Sequence, residues 1–185
     1  FNVLHDPEGL MKAMGGKAVF LASLEQMLTQ APVFHVGSYN DEIHEMSEMA
    51  AVNFGQYAHS NQPVHNFLYM FTAAGRRDRT QYWVHRVLNE LYSPENFPGD
   101  EDTGSMSAWY ILSSLGLFDL CPGKPDWTLG APLFRSANIL FPDGRNIRIR
   151  TEGQTGSFYN RVTLNGVVEH GPSIMHSKLT AKADL

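Results

Sequence analysis

The hydrophobic pattern of the chain changes its period near Cys121, and this change limits the folds that the chain can adopt. Before Cys121, apolar residues recur at the spacing of amphipathic helices. The clearest stripe consists of Trp83, Val84, Val87, Leu88 and Leu91. After Cys121, short apolar runs alternate with turn signals, which is typical of β-hairpins. Helices followed by strands predict two segregated layers or two domains. We therefore predict a mainly α part over residues 1–120 and a β-segment over residues 121–185.

Breakers and caps divide the first part into six predicted helices. Asp6 followed by Pro7 is typical of a first helical turn, and two glycines at 15–16 end that helix. Further helices are predicted over 17–30, 43–51, 64–74, from Arg77 to the Ser93-Pro94 break, and over 106–117. The last of these is apolar on most sides, so we expect it to be buried.

Two β-hairpins are predicted in the second part. The first joins runs at 139–141 and 147–150 through Pro142-Asp143-Gly144. The second spans 161–168 and turns at Asn165-Gly166, a pair that favours the positive φ angles of a two-residue hairpin turn.

An acidic loop with the sequence Gly99-Asp100-Glu101-Asp102-Thr103-Gly104 precedes the last predicted helix. By side-chain type, Asp102, Thr103 and Ser105 are candidates for its N-cap. Three adjacent carboxylates repel one another, so a cation, hydrogen-bond donors or open solvent must offset their charge. One interpretation is a solvated acidic turn that caps a helix; the other is a functional site.

Two kinds of chemistry suit these carboxylates. Glycoside hydrolysis needs a proton donor and a second carboxylate that attacks or activates water. Asp100 or Asp102 near a helix N-terminus would stay ionised and could be that base. We find no convincing general acid, since Glu8 and Glu90 occupy helix surfaces. Calcium binding is the second option, and the oxygen donors of the right type are Glu45, Glu48, Asn61, Gln62, Asp100 and Asp102.

Histidines offer a weaker alternative. His44 and Glu48 are four residues apart and would share a face of a helix. They are either a pair of metal ligands or an ordinary pair of surface residues. A zinc site built from His44, His59 and His65 is conceivable, but Glu48 stands where an HExxH motif needs its second histidine.

Composition excludes several classes of function. The net charge of −5 without any basic run argues against nucleic acid as a partner. No stretch is long and apolar enough to span a membrane, and the single cysteine, Cys121, cannot form an internal disulfide. The chain begins Phe1-Asn2-Val3 without an initiator Met or a signal-peptide pattern, so we expect a piece of a longer polypeptide. The compartment stays open, with secretion and a periplasmic location as candidates.

Several motifs together resemble the glycoside hydrolases of family 92, which are calcium-dependent, inverting exo-α-mannosidases. The most specific is the acidic loop continued by Ser105-Met106-Ser107-Ala108-Trp109-Tyr110. Matching segments elsewhere are Cys121-Pro122-Gly123, Leu129-Gly130-Ala131-Pro132-Leu133-Phe134 and Val162-Thr163-Leu164-Asn165-Gly166.

Two further segments match with departures. His5-Asp6-Pro7-Glu8-Gly9-Leu10 with the glycines at 15–16 resembles the VPHD…GL…GG pattern, with Leu4 in place of its Pro. Asn61-Gln62-Pro63-Val64-His65 resembles the GN(E/Q)PxHH pattern, with Ser60 for its Gly and Asn66 for its second His. The resemblance covers nearly the whole chain in the right order.

The resemblance implies a fold and a set of roles. This chain would supply the later helices of an (α/α)6 barrel and the C-terminal strands. Asp102 would be the general base with Asp100 as its assistant or alternative, His44 and Glu45 would hold the leaving-group mannose, and Glu48 would bind Ca²⁺. The family's general acid is a Glu that would precede Phe1.

The function predicted from this resemblance is the C-terminal portion of an exo-α-mannosidase acting on α-1,2-linked mannose in glycans. Without the N-terminal part of the same enzyme, it should be inactive. The alternative is a carbohydrate-binding or structural helical module without catalysis. An acidic residue opposite Asp102 on a partner segment would separate the two.

Overall fold

A computed structural model describes residues 1–153, 158–181 and 183–184, and its first strand begins at Leu117, where the helix predicted over 106–117 was expected to end. The helices are α1 Pro7–Ala13, α2 Lys17–Thr29, α3 His44–Ala51, α4 Met70–Ala73, α5 Arg77–Glu90, α6 Ser105–Ser114 and α7 His176–Thr180. Short 3-10 turns cover Gly37–Tyr39, Gln62–Val64 and Phe67–Tyr69. The predicted order of helices followed by strands is confirmed. Residues 154–157, 182 and 185 of the predicted β-segment lie outside the described residues.

Local signals explain the first two helices. The Asp6 side chain accepts a hydrogen bond of 2.9 Å from the Gly9 amide, and Pro7 occupies the first helical position. Helix α2 buries Phe20, Leu24 and Leu28, which recur every four residues along one face. Both helices therefore form as predicted.

The strands form three small sheets. They are β1 Leu117–Phe118, β2 Asp126–Leu129, β3 Ser136–Leu140, β4 Asn146–Arg150, β5 Val162–Leu164, β6 Val167–Glu169, β7 Ser173–Met175 and β8 Ala183–Asp184. The sheet orders are β1-β2-β7, β3-β4-β8 and β5-β6, and every pairing is antiparallel except that of β4 with β8. Both predicted hairpins are confirmed as β3-β4 and β5-β6, and Asn165 and Gly166 adopt φ of 50° and 82° in the second turn.

The helix predicted over 64–74 is wrong in its first half, where 3-10 turns replace it. The Thr80 hydroxyl lies 3.0 Å from the Thr72 amide and 2.8 Å from the Leu68 carbonyl, the two groups that would pair in an α-helix. The His65 carbonyl similarly accepts from the Trp109 indole at 2.9 Å. Side chains from α5 and α6 thus satisfy backbone groups that the sequence pattern assigned to helical hydrogen bonds.

Helix α6 is less buried than predicted. It turns Met106, Trp109 and Ser113 towards the interior, whereas Ile111 on its other side is 58% exposed. The expectation of an all-round buried helix is therefore wrong, and α6 has one buried stripe.

The helices and the strands have separate hydrophobic cores that are joined by specific contacts. Tyr69 stacks on Phe118 with ring centroids 4.4 Å apart. The imidazole Nε2 of His85 on α5 donates to the Ala131 carbonyl at 2.9 Å. The Gln81 amide group makes two 2.9 Å hydrogen bonds to the backbone of Tyr159. These contacts fix the β-segment against α5 and the turns that precede it.

No helix among the described residues has the length and apolar character that crossing a membrane requires.

Candidate active site

The acidic loop is anchored to α6 by its central carboxylate. Glu101 accepts hydrogen bonds from the Gly104 amide at 2.5 Å, the Ser107 amide at 3.1 Å and the Ser107 hydroxyl at 2.5 Å. These donors, led by the hydroxyl, hold the pKa of Glu101 below its ordinary value. The predicted N-cap side chains, Asp102, Thr103 and Ser105, are therefore wrong, because Gly104 is the N-cap residue and Glu101 supplies the acceptor.

The backbone of the acidic loop is left-handed at two adjacent residues, Asp102 and Thr103. Asp102 and Thr103 have φ of 51° and 58°, which costs free energy for residues with a Cβ atom. Both residues are exposed. Because Glu101 takes the helix amides, the Asp102 carboxylate is left facing solvent. Backbone strain of this kind clusters at functional sites, where the surrounding structure enforces it.

A second group of side chains, here called the His44 cluster, joins α3 to the acidic loop. His44 Nδ1 lies 3.2 Å from Glu48 Oε1, and His44 Nε2 lies 3.6 Å from Glu45 Oε1 and 3.8 Å from Asp100 Oδ2. The helical spacing of four residues explains the contact between His44 and Glu48. The structure thus brings together four of the five predicted site residues, whereas Asp102 lies on the same loop without a contact to His44 among the ion pairs of the described residues.

The charges of the His44 cluster favour a protonated imidazole. The hydrogen bond with Glu48 raises the pKa of His44, and Glu45 and Asp100 add to the effect. Glu48 Oε2 is buried and has no hydrogen-bond partner among the residues that the structure describes. Over the described ranges, no three His, Cys, Asp or Glu side chains are arranged to hold a metal ion. The carboxylates instead surround the His44 ring, and Glu48 keeps one free oxygen.

The acidic loop is also held from the segment before α4. The sequence grouped Gln62 with Asp100 only as candidate calcium ligands and did not predict a hydrogen bond between them. Gln62 Nε2 donates to the Asp100 carbonyl at 2.7 Å. Gly99 lies so close to Ser60 that an added Cβ would stand 2.6 Å from its Cα and 2.7 Å from its carbonyl oxygen, so only glycine fits there. In the sequence, Gly99 and Gln62 are the residues that could have indicated this contact. Their partners, Ser60 and Asp100, are brought to them only by the fold.

Two buried histidines, His59 and His65, belong to the same segment as Ser60 and Gln62. The ring nitrogens of His59 are 2.9 Å from the hydroxyls of Tyr57 and Tyr92, and its ring centroid is 4.7 Å from that of His65. Burial lowers the pKa of His59 far below its ordinary value, and the neighbouring His65 adds to the shift. Because both nitrogens of His59 have partners, it has no free lone pair for a zinc ion, and the zinc alternative has no support here.

The arrangement offers exposed carboxylates beside a hydrogen-bonding imidazole, which suits a hydroxyl-rich ligand. A general acid is not evident among the glutamates considered from the sequence. Glu90 is paired with Arg86 at 2.7 Å, and this contact lowers the pKa of Glu90, the opposite of what a proton donor needs.

Comparison with known proteins identifies relatives for the whole chain. The sequence model of the glycosyl hydrolase family 92 catalytic domain matches residues 1–185. An inverting mannosidase of family GH92 from Bacteroides thetaiotaomicron superposes with a TM-score of 0.79 at 35% identity, covering 98% of this chain and 25% of that one. A GH92 α-mannosidase from the same organism superposes with a TM-score of 0.81 at 20% identity, covering 98% of this chain and 23% of that one, and at this identity it supports the fold alone.

A curated relative is described as an uncharacterized secreted glycosidase from Arthroderma benhamiae. It is 23% identical over 173 residues, which are 90% of this chain and 19% of the relative. The chain thus spans about a quarter or less of the length of the proteins that it matches.

Proposed function

Because this chain belongs to glycosyl hydrolase family 92, we propose that it is the later part of an inverting exo-α-mannosidase that removes α-1,2-linked mannose from glycans. The observation that carries the proposal is the approach of His44 on α3 to Asp100 in the acidic loop. These two residues are far apart in sequence, and their approach brings the Asp100 carboxylate to an exposed imidazole that also contacts Glu45 and Glu48. The helices would belong to an (α/α)6 barrel completed by other parts of the enzyme.

We assign the role of general base to Asp102. An inverting enzyme needs a carboxylate that takes a proton from water on the face opposite the leaving group. The exposed position of Asp102 and the left-handed backbone at 102–104 support this role, because Glu101 rather than Asp102 is occupied by the helix amides. Asp100 would orient the water or share the base function.

His44 and Glu45 are proposed to hold the leaving-group sugar. An imidazole N–H donates to a sugar hydroxyl, and a carboxylate accepts from one. Both residues begin α3, where the helical backbone fixes their relative position. These contacts would favour substrates in which the leaving group is itself mannose.

Glu48 is proposed to bind Ca²⁺. The buried oxygen of Glu48 that has no partner fits a hard cation, which prefers oxygen ligands. Amide oxygens, water and sugar hydroxyls would have to complete the coordination. A bound calcium ion would supply positive charge and fixed coordination for hydroxyl oxygens of the substrate.

We propose that the general acid lies outside residues 1–185, so that the chain alone binds sugar weakly and hydrolyses none. Secretion is proposed from the relative that is described as a secreted glycosidase.

The test uses the complete enzyme, this chain alone, and α-1,2-, α-1,3- and α-1,6-linked mannobiose. We expect rapid cleavage of the α-1,2 substrate by the complete enzyme, first release of β-mannose by proton NMR, loss of activity with EDTA and recovery with calcium. Release of α-mannose would overturn the inverting mechanism, and full activity after exhaustive chelation would overturn the calcium site. Hydrolysis by this chain alone would show that its general acid is internal, whereas sugar binding by an inactive complete enzyme would favour the binding-module alternative.

A further inference from the structure

A hydrogen-bonded chain of side chains runs from the buried Tyr57 through the buried His59 and the half-buried Tyr92 to the first turn of α6. The Tyr57 hydroxyl lies 2.9 Å from His59 Nδ1, and His59 Nε2 lies 2.9 Å from the Tyr92 hydroxyl. The Tyr92 hydroxyl donates in turn to the Met106 carbonyl at 3.2 Å. Met106 belongs to α6, and its amide donates to the Glu101 carbonyl at 3.1 Å. The chain therefore ends one hydrogen bond away from the acidic loop.

The direction of these hydrogen bonds follows from the number of protons that each side chain can donate. A tyrosine hydroxyl has one proton, and Tyr92 gives it to the Met106 carbonyl. Tyr92 must then accept from His59, so His59 carries its proton on Nε2 and accepts on Nδ1 from Tyr57. Every member of the chain is satisfied in this arrangement. His59 is only 2% exposed, and its neutral form persists because burial lowers its pKa.

Neighbouring contacts keep His59 in place. His65 Nε2 donates to the His59 carbonyl at 3.1 Å, and the Trp109 indole donates to the His65 carbonyl at 2.9 Å. The Trp109 ring packs edge-on against the His59 ring with centroids 4.4 Å apart. The segment around His59 is thus linked to α6 directly at Trp109 and indirectly at Met106, where the Tyr92 hydroxyl is the bridge. Gln62 from the same segment holds Asp100.

We propose that His59 is a positioning residue for the acidic loop: through the Tyr92 hydroxyl it fixes the start of α6, and with it the carboxylates of Asp100 and Asp102. The expected effect of His59 on catalysis rests on the proposed function. The positioning of the acidic loop by His59 does not depend on that function. Small displacements of catalytic groups are costly, since a misplacement of about 1 Å can lower a rate roughly 100-fold.

The variants separate hydrogen bonding from packing. Tyr92→Phe removes the hydroxyl and keeps the ring, which lies parallel to Trp109 with centroids 6.1 Å apart. His59→Leu removes both ring nitrogens, whereas His59→Gln keeps an amide donor at the position of Nε2. His85→Leu is the matched control, because His85 also bonds to a backbone carbonyl, that of Ala131, but belongs to no contact of the acidic loop.

In the complete enzyme, we expect Tyr92→Phe and His59→Leu to lower kcat roughly 10- to 100-fold with KM little changed, because the proposed sugar contacts lie on α3. His59→Gln should recover much of this loss, and the double variant of Tyr92→Phe with His59→Leu should be no worse than either alone. Unchanged kcat, or a loss equal to that of His85→Leu at equal folded fraction, would overturn the proposal.

A second measurement does not depend on the substrate. Hydrogen exchange of the Gly104 and Ser107 amides, which bond to Glu101, should accelerate in Tyr92→Phe and not in His85→Leu. Nitrogen NMR of His59 should show the Nε2–H tautomer. Unaltered exchange or the Nδ1–H tautomer would overturn the inference whatever the activity is. If the wild-type enzyme cleaves no α-mannoside while exchange responds as expected, the proposed function fails and the positioning role stands.

Discussion

His44 and His59 are both connected to the acidic loop, but their surroundings are opposite. The His44 side chain is 56% exposed and faces three carboxylates, whereas His59 is 2% exposed and faces two tyrosine hydroxyls. The carboxylates raise the pKa of His44, led by the hydrogen bond with Glu48. Burial and His65 lower the pKa of His59. The same side chain is thus suited to bind a polar ligand in one place and to carry a fixed hydrogen-bond direction in the other.

The contrast extends to the residues around each histidine. The His44 cluster contains charged groups at the surface, and within the described part of the chain the Oε2 atom of Glu48 has no hydrogen-bond partner. The region around His59 contains buried aromatic rings, and the indole of Trp109 donates to the His65 carbonyl. We therefore expect changes in the first region to alter activity with little effect on stability, and changes in the second to alter stability or position.

The largest expected effect concerns Asp102 in the acidic loop, to which both histidines are connected. Asp102→Asn keeps the size of the side chain but cannot accept a proton, and loss of a general base costs about 10²–10⁴-fold in rate. In the complete enzyme, kcat should fall by that factor while substrate binding is kept. Steady-state kinetics on an aryl α-mannoside and direct binding measurements would check this expectation.

Glu95→Gln is the control for that prediction, since Glu95 is an exposed carboxylate shortly before the acidic loop. It should leave kcat unchanged. Collapse of activity in Asp100→Asn together with near-normal kcat in Asp102→Asn would show that Asp100 is the base.

The next largest effect should be on stability. Trp109→Ala removes a large buried side chain, and such truncations cost about 3–5 kcal/mol of the free energy of unfolding. It also leaves the His65 carbonyl without its indole donor in a buried environment. Thermal and urea unfolding followed by circular dichroism would measure the loss.

The matched control for Trp109 is Trp127→Ala, because Trp127 is only partly buried and its indole bonds to the exposed His176. A smaller loss is expected there. Equal losses for the two tryptophans would contradict the expectation that substitutions in the region around His59 lower the free energy of unfolding more than substitutions elsewhere.

The sequence predicted those parts of this picture that depend on neighbouring residues. The period of four residues in α2, the Asp6 cap and the Asn165-Gly166 turn are local signals, and each formed as expected. The contact of His44 with Glu48 is likewise set by helical spacing.

Contacts between distant segments were not predictable from the chain alone. The approach of Gly99 to Ser60 and the path from His59 through Tyr92 to Met106 depend on how α5, α6 and the segment before α4 pack. The same limitation explains why the first half of the helix predicted at 64–74 is wrong, since the Thr80 hydroxyl from α5 takes the place of a backbone hydrogen bond. The N-cap of α6 was missed because Glu101 reaches forward from outside the usual cap position.

A more selective effect is expected from His44 and Glu45. Replacing both with Ala should weaken cleavage of mannobiose more than cleavage of an aryl mannoside, because hydrogen bonds to a sugar leaving group are lost only with the first substrate. Two lost hydrogen bonds of about 0.5–1.5 kcal/mol each predict roughly a 5- to 150-fold difference in kcat/KM between substrates. Asp41→Ala with Glu42→Ala, two exposed residues just before α3, is the control. Equal losses on both substrates would count against a leaving-group role.

The smallest expected effect is the change of folding stability with pH that the two histidines cause. Measuring it compares His44 and His59 directly. Because the pKa of His44 is raised above 6.5, protonated His44 stabilises the folded state below about pH 6.5, and this contribution is lost as pH rises through the folded pKa. The contribution of His59 to stability has the opposite pH dependence. Because His59 stays neutral in the folded state, stability falls as pH drops below about 6.5.

Proton NMR should therefore show His44 titrating above the ordinary pKa of histidine and His59 remaining neutral well below that pKa. Glu48→Gln should move the His44 titration downward without affecting His59. A His44 midpoint that is insensitive to Glu48→Gln would show that Glu48 is not its main partner, and protonation of His59 near pH 6.5 would show that the region around it is open to solvent.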